Sequence, residues 1–323
     1  MRSEATLLMI DRDAVNALLD PADVTAAVRE AFLLHGRREG RVFPVVREKL
    51  ATGGIFGIKS GDVPSKGLLG FKAAGFWPDN RQRGGEPHQA TILLFDPATG
   101  RPLCVIDGNA ITTVRTGAAG GLGLRTLARP DSSRVTVFGA GVQAASQLRF
   151  ALRTLRRLET VHYVSVNRDT DAAFESLFRA QCDIRCAHDA NAAVAESDVI
   201  ITATPGGGPL FDASAIRPGT HLNCVGADTA GKRELPAGVL ERARVIADDR
   251  EQALQLGELQ WSRDTPVIEL GQLLLGNSPF ERGDGDITVF DMTGLALQDL
   301  TVARLVYARA QALHLGTRVA WPW

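Results

Sequence analysis

Gly139-Ala140-Gly141-Val142-Gln143-Ala144 follows the apolar run Val135 to Phe138 and opens VQAASQLRFAL, a segment with helical spacing. The pattern is G-x-G-x-x-A between a strand and a helix. The first glycine permits a tight turn, the second lets backbone approach a pyrophosphate, and the small final residue lets the helix pack on the strand. The helix start then offers unpaired N–H groups and a partial positive charge to phosphate. A glycine turn without a ligand is the plainer reading, but the αβ units that follow weigh against it. The next strand closes on Asn167-Arg168. An acid there would bind a ribose 2′-hydroxyl, whereas a guanidinium matches a 2′-phosphate in charge and fork geometry. Asp169 follows directly, and Arg168 also reads as a surface charge. The pair leans to NADP(H) over NAD(H).

A second set of residues suits an anion. Arg47 in PVVREKL, Lys59 in FGIKSG and Lys72 in LLGFKAAGFW interrupt apolar strands, and Arg115 sits among small residues in ITTVRTGAAG. A charge in an apolar run is costly unless it is paired or meets a ligand. One such cation is usually a snorkelling side chain. Four in one module point to a carboxylate pocket, against a background of scattered surface charges. His88 opens a strand in EPHQATILLFD and is a minor candidate for the same pocket. In HLNCVGADTAGKREL, Asp228 lies just past a strand's carboxyl end, where open α/β sheets bind ligands. An acid there can transfer a proton or stabilise a cationic imine, and Lys232 can pair with it. A loop or helix cap is the plainer role for Asp228.

The elements that must position these residues fall into two patterns. Residues 1–36 read as helical, with Asp20-Pro21 a helix start and Val24, Ala27, Val28, Ala31 and Phe32 at helical spacing. From 41 to 107 the runs VFPVVREKL, GIFGIKSG, GLLGFKAAGFW, ATILLFD and PLCVID predict an antiparallel α+β module. Residues 109–128 read as one helix. Beyond it, RVTVFG, TVHYVSVN, SDVIITAT, HLNCVG and RVIADD recur, mostly separated by helical stretches, which predicts a parallel, doubly wound sheet. DITVFDMTG supplies a last strand and LQDLTVARLVYARAQALHLG a last helix.

Composition narrows the function classes. The 36 basic and 37 acidic side chains leave a net charge of -1, with no footprint for nucleic acid or an anionic membrane. Aromatic residues make up 6%, too few for base-stacking platforms. No apolar run approaches the ~20 residues of a membrane helix. MRSEATLLMIDRD is charged too early for a secretory signal. Cys104, Cys182, Cys186 and Cys224 form no Cys-x-x-Cys pair and no metal set, so free thiols in a reducing cytoplasm are expected.

With these residues in place, the chain resembles the ornithine cyclodeaminase/mu-crystallin family over nearly its whole length. The Arg47 strand, GFKAAGFWPDN, DPATGRP, TTVRTGAA, VFGAGVQA, ATP at 203–205, GADTAGKREL and ITVFDMTGLALQDL occur in the family's order. The resemblance implies a Rossmann domain at 126–299. It also implies a substrate and dimerisation domain made of 1–125 with 300–323, and a homodimer. It gives Arg47, Lys72 and Arg115 the substrate carboxylate and Asp228 the role of catalytic acid. Thr293 and Gly294 would lie near the nicotinamide. Gly139, Ala140, Gly141, Val142, Gln143, Thr202, Ala203, Thr204 and Lys232 complete the implied cofactor set.

The family's shared chemistry is hydride transfer between nicotinamide and an imine or amine carbon. Ornithine cyclodeaminases carry an acid soon after the Arg47-type position. This chain has Lys59 there instead, which suits a second negative charge on the substrate. FPVVREKL, GFKAAGFWPDN and HQATILLFDPATGR resemble iminosuccinate reductases, which implies NAD(P)H-dependent reduction of iminosuccinate to L-aspartate. Lys72 is an alternative proton donor if burial lowers its pKa. Ornithine cyclodeamination, alanine dehydrogenation and crystallin-like ligand binding without turnover are the rival readings.

Overall fold

A computed structural model describes residues 5–322; the ends of the expected domain ranges, 1–4 and 323, lie outside the described residues. Two compact units form, one of 1–115 with 295–323 and one of 116–294. The divisions lie at 115/116 and 294/295, where the sequence suggested 125/126 and 299/300.

The first unit begins with a strand, β1 (Ala5–Ile10), where a helix was expected. Ala5, Leu7, Leu8 and Ile10 of this strand lie in the core. Helices α1 (Arg12–Leu18) and α2 (Pro21–Gly36) follow, each opened by an aspartate side chain that accepts first-turn N–H groups. The strands β2 (Arg41–Val42), β3 (Val46–Lys49), β4 (Ile55–Val63), β5 (Leu68–Phe76), β6 (His88–Phe95) and β7 (Pro102–Asp107) then lead into α3 (Gly108–Leu127). Phe43-Pro44-Val45 splits the expected VFPVVREKL strand into β2 and β3, since proline cannot donate to a ladder.

In the second unit the order is β8 (Arg134–Phe138), α4 (Val142–Thr154), β9 (Thr160–Val164), α5 (Ala172–Ser176), β10 (Asp183–Cys186), α6 (Ala190–Glu196), β11 (Val199–Thr202), β12 (His221–Cys224), β13 (Arg244–Ala247), α7 (Arg250–Leu256), β14 (Val267–Glu269), α8 (Leu270–Leu274) and β15 (Thr288–Asp291). The sheet is parallel throughout, in the order β10-β9-β8-β11-β12-β15-β13-β14. Both faces are covered: Val135, Val137, Val199 and Ile201 pack with α4, while Ile200, Leu222, Cys224 and Val289 pack on the opposite side with α6 and α7. That explains the near-continuous apolar runs. Most crossovers are helical, as expected, but β11 to β12 and β12 to β13 are bridged by loops with short 3-10 turns at 213–215 and 240–242.

The chain then returns to the first unit through α9 (Ala296–Ala312) and an unanticipated edge strand, β16 (Thr317–Trp321). Its sheet runs β16-β1-β7-β6-β5-β4-β2, with β3 also on β4. Among the described residues of this sheet, only β1 and β7 pair in parallel. Helix α9 lies close on β5 because Gly70 has no side chain; a Cβ there would stand 2.9 Å from Leu300. Among the described residues no helix is long and apolar enough to cross a membrane.

Candidate active site

Register gathers the cations of the first unit. Residues directly opposite in an antiparallel pair share a face, as do residues two apart along a strand. Arg47 opposes Gly57, Lys59 stands two beyond Gly57 and opposes Lys72, and Lys72 opposes Ile92. His88 is four residues before Ile92 and opposes Phe76. Arg47, Lys59, Lys72 and His88 therefore occupy one face of the sheet. It is the α9 face, since Gly61 and Gly70 meet Leu297 and Leu300 from this side.

Helices α3 and α9 add the remaining charges. Arg115 on α3 and Lys72 on β5 are 7% and 4% exposed, and both bind Asp299 of α9, which is fully buried. Lys72 Nζ stands 2.7 Å from Asp299 Oδ2 and donates to Thr112 Oγ1 at 3.3 Å. Arg115 Nε donates to Asp299 Oδ1 at 3.0 Å and its Nη1 to Gln298 Oε1 at 3.0 Å. The Gln298 amide nitrogen is buried with no acceptor among the described residues. Burial pushes Lys72 down to about 7; Arg115 and Lys59 push the same way, against the pull of Asp299. Burial raises Asp299, yet Arg115 and Lys72 outweigh it and hold the carboxyl below the usual range. Protonated, the group is three cations, Lys59, Lys72 and Arg115, around one carboxylate. Such a group attracts a second carboxylate.

His88 is oriented by α3. The Asn109 amide nitrogen donates to Glu86 Oε2 at 3.1 Å and to the His88 carbonyl at 3.2 Å. Its oxygen therefore faces His88 Nδ1 at 3.0 Å, and Nδ1 is the donor. Glu86 is held in turn by Arg12 through its two terminal guanidinium nitrogens, at 2.8 and 2.9 Å.

In the second unit Gly139 has φ +106°, and its N–H donates to the Val164 carbonyl at 2.9 Å. A Cβ there would stand 2.8 Å from the Ala203 carbonyl oxygen. A Cβ on Gly141 would meet nothing within 4 Å, so the approach to this turn is open. Gly141 is the N-cap of α4 and provides no side-chain cap. Val142 is 64% exposed, Ala144 is buried on the sheet, and the Gln143 amide oxygen has no partner among the described residues. Open space, uncapped N–H groups and an orphaned polar atom fit the pyrophosphate of a nicotinamide dinucleotide. Gly139→Ala is expected to cost ~1–3 kcal/mol through backbone strain and the Ala203 clash, and to weaken NADH binding. A thermal melt and a fluorescence titration check both.

The other candidates lie at the carboxyl ends of this unit's strands. Asn167-Arg168 follows β9; Arg168 has φ +58° and donates to the His188 carbonyl at 3.0 Å. Thr202 is fully buried and its hydroxyl donates to Glu234, so it supports the turn rather than lining an open surface. Ala203 and Thr204 follow it, and Thr204 also donates to Glu234. Asp228, in the loop after β12, accepts from Lys232 Nζ at 2.7 Å and from Thr229 Oγ1 at 3.1 Å. Thr293 donates to Asp248 at 2.8 Å and accepts from Gln252 Nε2 at 2.5 Å. Gly294, at φ +83°, donates to Asp248 and offers its carbonyl to Gln252.

Within each unit, Asp299, Gln298 and Asn109 of the first and Glu234 and Asp248 of the second bond the candidate residues directly, and none was singled out from the sequence. Asp299 left a signal, an acid inside the apolar run LALQDLTVARL. A lone acid on a helix usually faces solvent, and nothing local sets this one apart.

The chain is similar to known proteins over nearly its whole length. Residues 13–313 match the family model described as the ornithine cyclodeaminase/mu-crystallin family. The iminosuccinate reductase of Paracoccus denitrificans (strain Pd 1222) is 34% identical over 322 residues, 96% of this chain and 98% of the relative. The crystal structure of the Paracoccus denitrificans iminosuccinate reductase with NAD+ superposes with a TM-score of 0.90 at 32% identity, covering 98% of this chain and 100% of the other. An archaeal alanine dehydrogenase dimer with bound NAD gives a TM-score of 0.91 at 31% identity, with the same coverage. The Thermococcus litoralis Delta(1)-pyrroline-2-carboxylate reductase with NADH and L-proline gives 0.89 at 28%, covering 97% and 100%. The family match over most of the chain, the parallel sheet with its glycine turn and the buried cation cluster converge, and the chain belongs to the ornithine cyclodeaminase/mu-crystallin family.

Proposed function

We propose that this protein is a nicotinamide-dependent reductase of small imino acids, with iminosuccinate as the foremost substrate and L-aspartate as the product. The observation that carries this reading is the buried group in which Lys72 and Arg115 share Asp299 beside Lys59. The relatives supply the chemistry. Relatives named by activity include reductases of iminosuccinate, Delta(1)-pyrroline-2-carboxylate and ketimines, an alanine dehydrogenase and a lysine cyclodeaminase.

Bound coenzyme supplies the hydride, and the Gly139–Gln143 turn with the first turn of α4 would hold it. Arg47, Lys72 and Arg115 bind the carboxylate next to the imine carbon and fix its orientation. Lys72 also holds a proton near neutral pH, because burial brings it to about 7. The Asp228 carboxylate favours the protonated, electrophilic imine over the neutral one, and the 2.7 Å bond to Lys232 fixes its position. Lys59, opposite Lys72 in the sheet, receives a distal carboxylate. Asn167-Arg168 supports acceptance of NADPH beside NADH. The dimer of the archaeal relative is the proposed assembly.

A panel of imines with NADH and with NADPH tests this reading. Oxaloacetate plus ammonia should consume reduced nicotinamide faster than pyruvate plus ammonia. Lys59→Met should cut kcat/KM for the dicarboxylic imine ~10-fold while sparing monocarboxylic ones, as expected from loss of one charge-assisted contact. Ammonia release from ornithine with no net change in nicotinamide would instead establish the cyclodeaminase.

A further inference from the structure

Three buried carboxyl groups of the second unit lie in series. Asp291, the last residue of β15, accepts the Leu259 N–H at 3.0 Å. Glu258, beside Leu259, accepts the Glu234 N–H at 2.7 Å and the Leu235 N–H at 3.3 Å. Glu234 Oε2 accepts the Thr202 hydroxyl at 2.7 Å and the Gly226 N–H at 2.8 Å. Its Oε1 accepts the Thr204 N–H at 2.8 Å and the Thr204 hydroxyl at 2.6 Å. Four donors from the ends of β11 and β12 thus converge on one side chain. Gly226 must be glycine for this, since a Cβ would stand 2.4 Å from Glu234 Oε1.

All three carboxyls are almost wholly buried. Burial pushes Asp291 up to about 7, Glu258 to about 8 and Glu234 above its usual value. Apolar side chains would fill the same space at less cost. What they would not do is collect N–H groups from separate loops. Gly226 lies two residues before Asp228, and Glu234 two residues after Lys232. The carboxylate therefore clamps both ends of the turn that carries the Asp228–Lys232 pair, and ties it to the Thr202–Thr204 turn.

We infer that Glu234, backed by Glu258, is a positioning residue for the proposed reduction: it locks the Thr202–Thr204 turn and the turn bearing Asp228 into one rigid support. The inference rests on the reductase reading. Each Glu234 oxygen takes a backbone N–H, so an amide nitrogen fits at neither position and Glu234→Gln must release one loop. A displacement of about 1 Å at reacting groups costs on the order of 100-fold.

The test is a double-mutant cycle on the full-length protein, with an NADH titration in parallel. Glu234→Gln should lower kcat at saturating NADH ~30- to 100-fold, raise the NADH dissociation constant several-fold, and leave the melting transition cooperative. In an Asp228→Asn background the same change should cost several-fold less in kcat, because the group it positions is already gone. If Glu234→Gln does not fold, Glu258→Gln, which leaves the acceptors of Glu234 in place, should move both readouts in the same direction by less. A folded variant with kcat and NADH affinity within twofold of the parent would overturn the inference, and so would equal kcat losses in both backgrounds. If the parent protein reduces no imine, the reductase reading fails, and the NADH titration alone decides whether Glu234 positions the coenzyme-side turn.

Discussion

Lys72→Met is expected to lower kcat/KM for an imino acid ~30- to ~3,000-fold, because losing one partner of a buried charge pair costs about 2–5 kcal/mol and each 1.4 kcal/mol is tenfold. The fold should survive. Met is close to isosteric, and Asp299 keeps Arg115 at 3.0 Å, so the core retains a balanced pair. The pH profile identifies the cause. Lys72 has a pKa lowered to about 7, and a substrate carboxylate binds best when the amine is charged. In the parent, kcat/KM should be level below that value and fall as pH rises through it. The substrate should therefore draw a proton into the site on binding. Lys72→Met should lack this alkaline limb, and Lys72→Arg should keep binding at high pH because its charge persists. A Lys72→Met protein with the parent's rate and the parent's limb would show that the carboxylate binds elsewhere.

Asp299→Asn should be the more damaging change to stability. It leaves Lys72 and Arg115 buried against a neutral amide, and breaking a buried pair from one side costs about 3–5 kcal/mol. It also removes the group that holds Lys72 up, while Arg115 and Lys59 still push it down. The alkaline limb of kcat/KM should therefore move to lower pH, with weaker substrate binding at neutrality. The acid side gives a separate sign. The Asp299 carboxyl lies below its ordinary value of 3.8 in the folded protein. Its contribution is then fully present above that value and is lost as pH falls through the folded pKa. Acid melts of Asp299→Asn should show a smaller loss over that window than the parent. An unchanged melt together with an unmoved limb would contradict the ion-pair account.

The parts of this picture that were legible in the sequence are the local ones. The Val135–Phe138 strand, the two glycines and Ala144 lie within ten residues, and the turn requires nothing from elsewhere. Arg47, Lys59, Lys72 and Arg115 stood out because a cation in an apolar run is anomalous wherever its partner is. The misses depend on distant pairing. β1 is only six residues long, too short for periodicity to separate strand from helix, and its partners are β7 and β16. β16 has every residue exposed and so shows no alternation. Asp299 and Glu234 read as ordinary polar residues in LALQDL and GKREL. Their burial is set by β5 and α3 for Asp299, and by the ends of β11 and β12 for Glu234.

Removing only the carboxyl group from a substrate tests the central claim most directly. Delta(1)-pyrroline-2-carboxylate and 1-pyrroline share the reducible C=N bond and differ in the group that Lys72 and Arg115 are expected to hold. The parent protein should reduce the carboxylated imine at least ~1,000-fold more efficiently, the scale on which sites built for a polar group reject analogues that lack it. That preference should shrink to tens-fold in Lys72→Met. Equal efficiency on the two imines, or a preference that Lys72→Met leaves intact, would contradict the assignment.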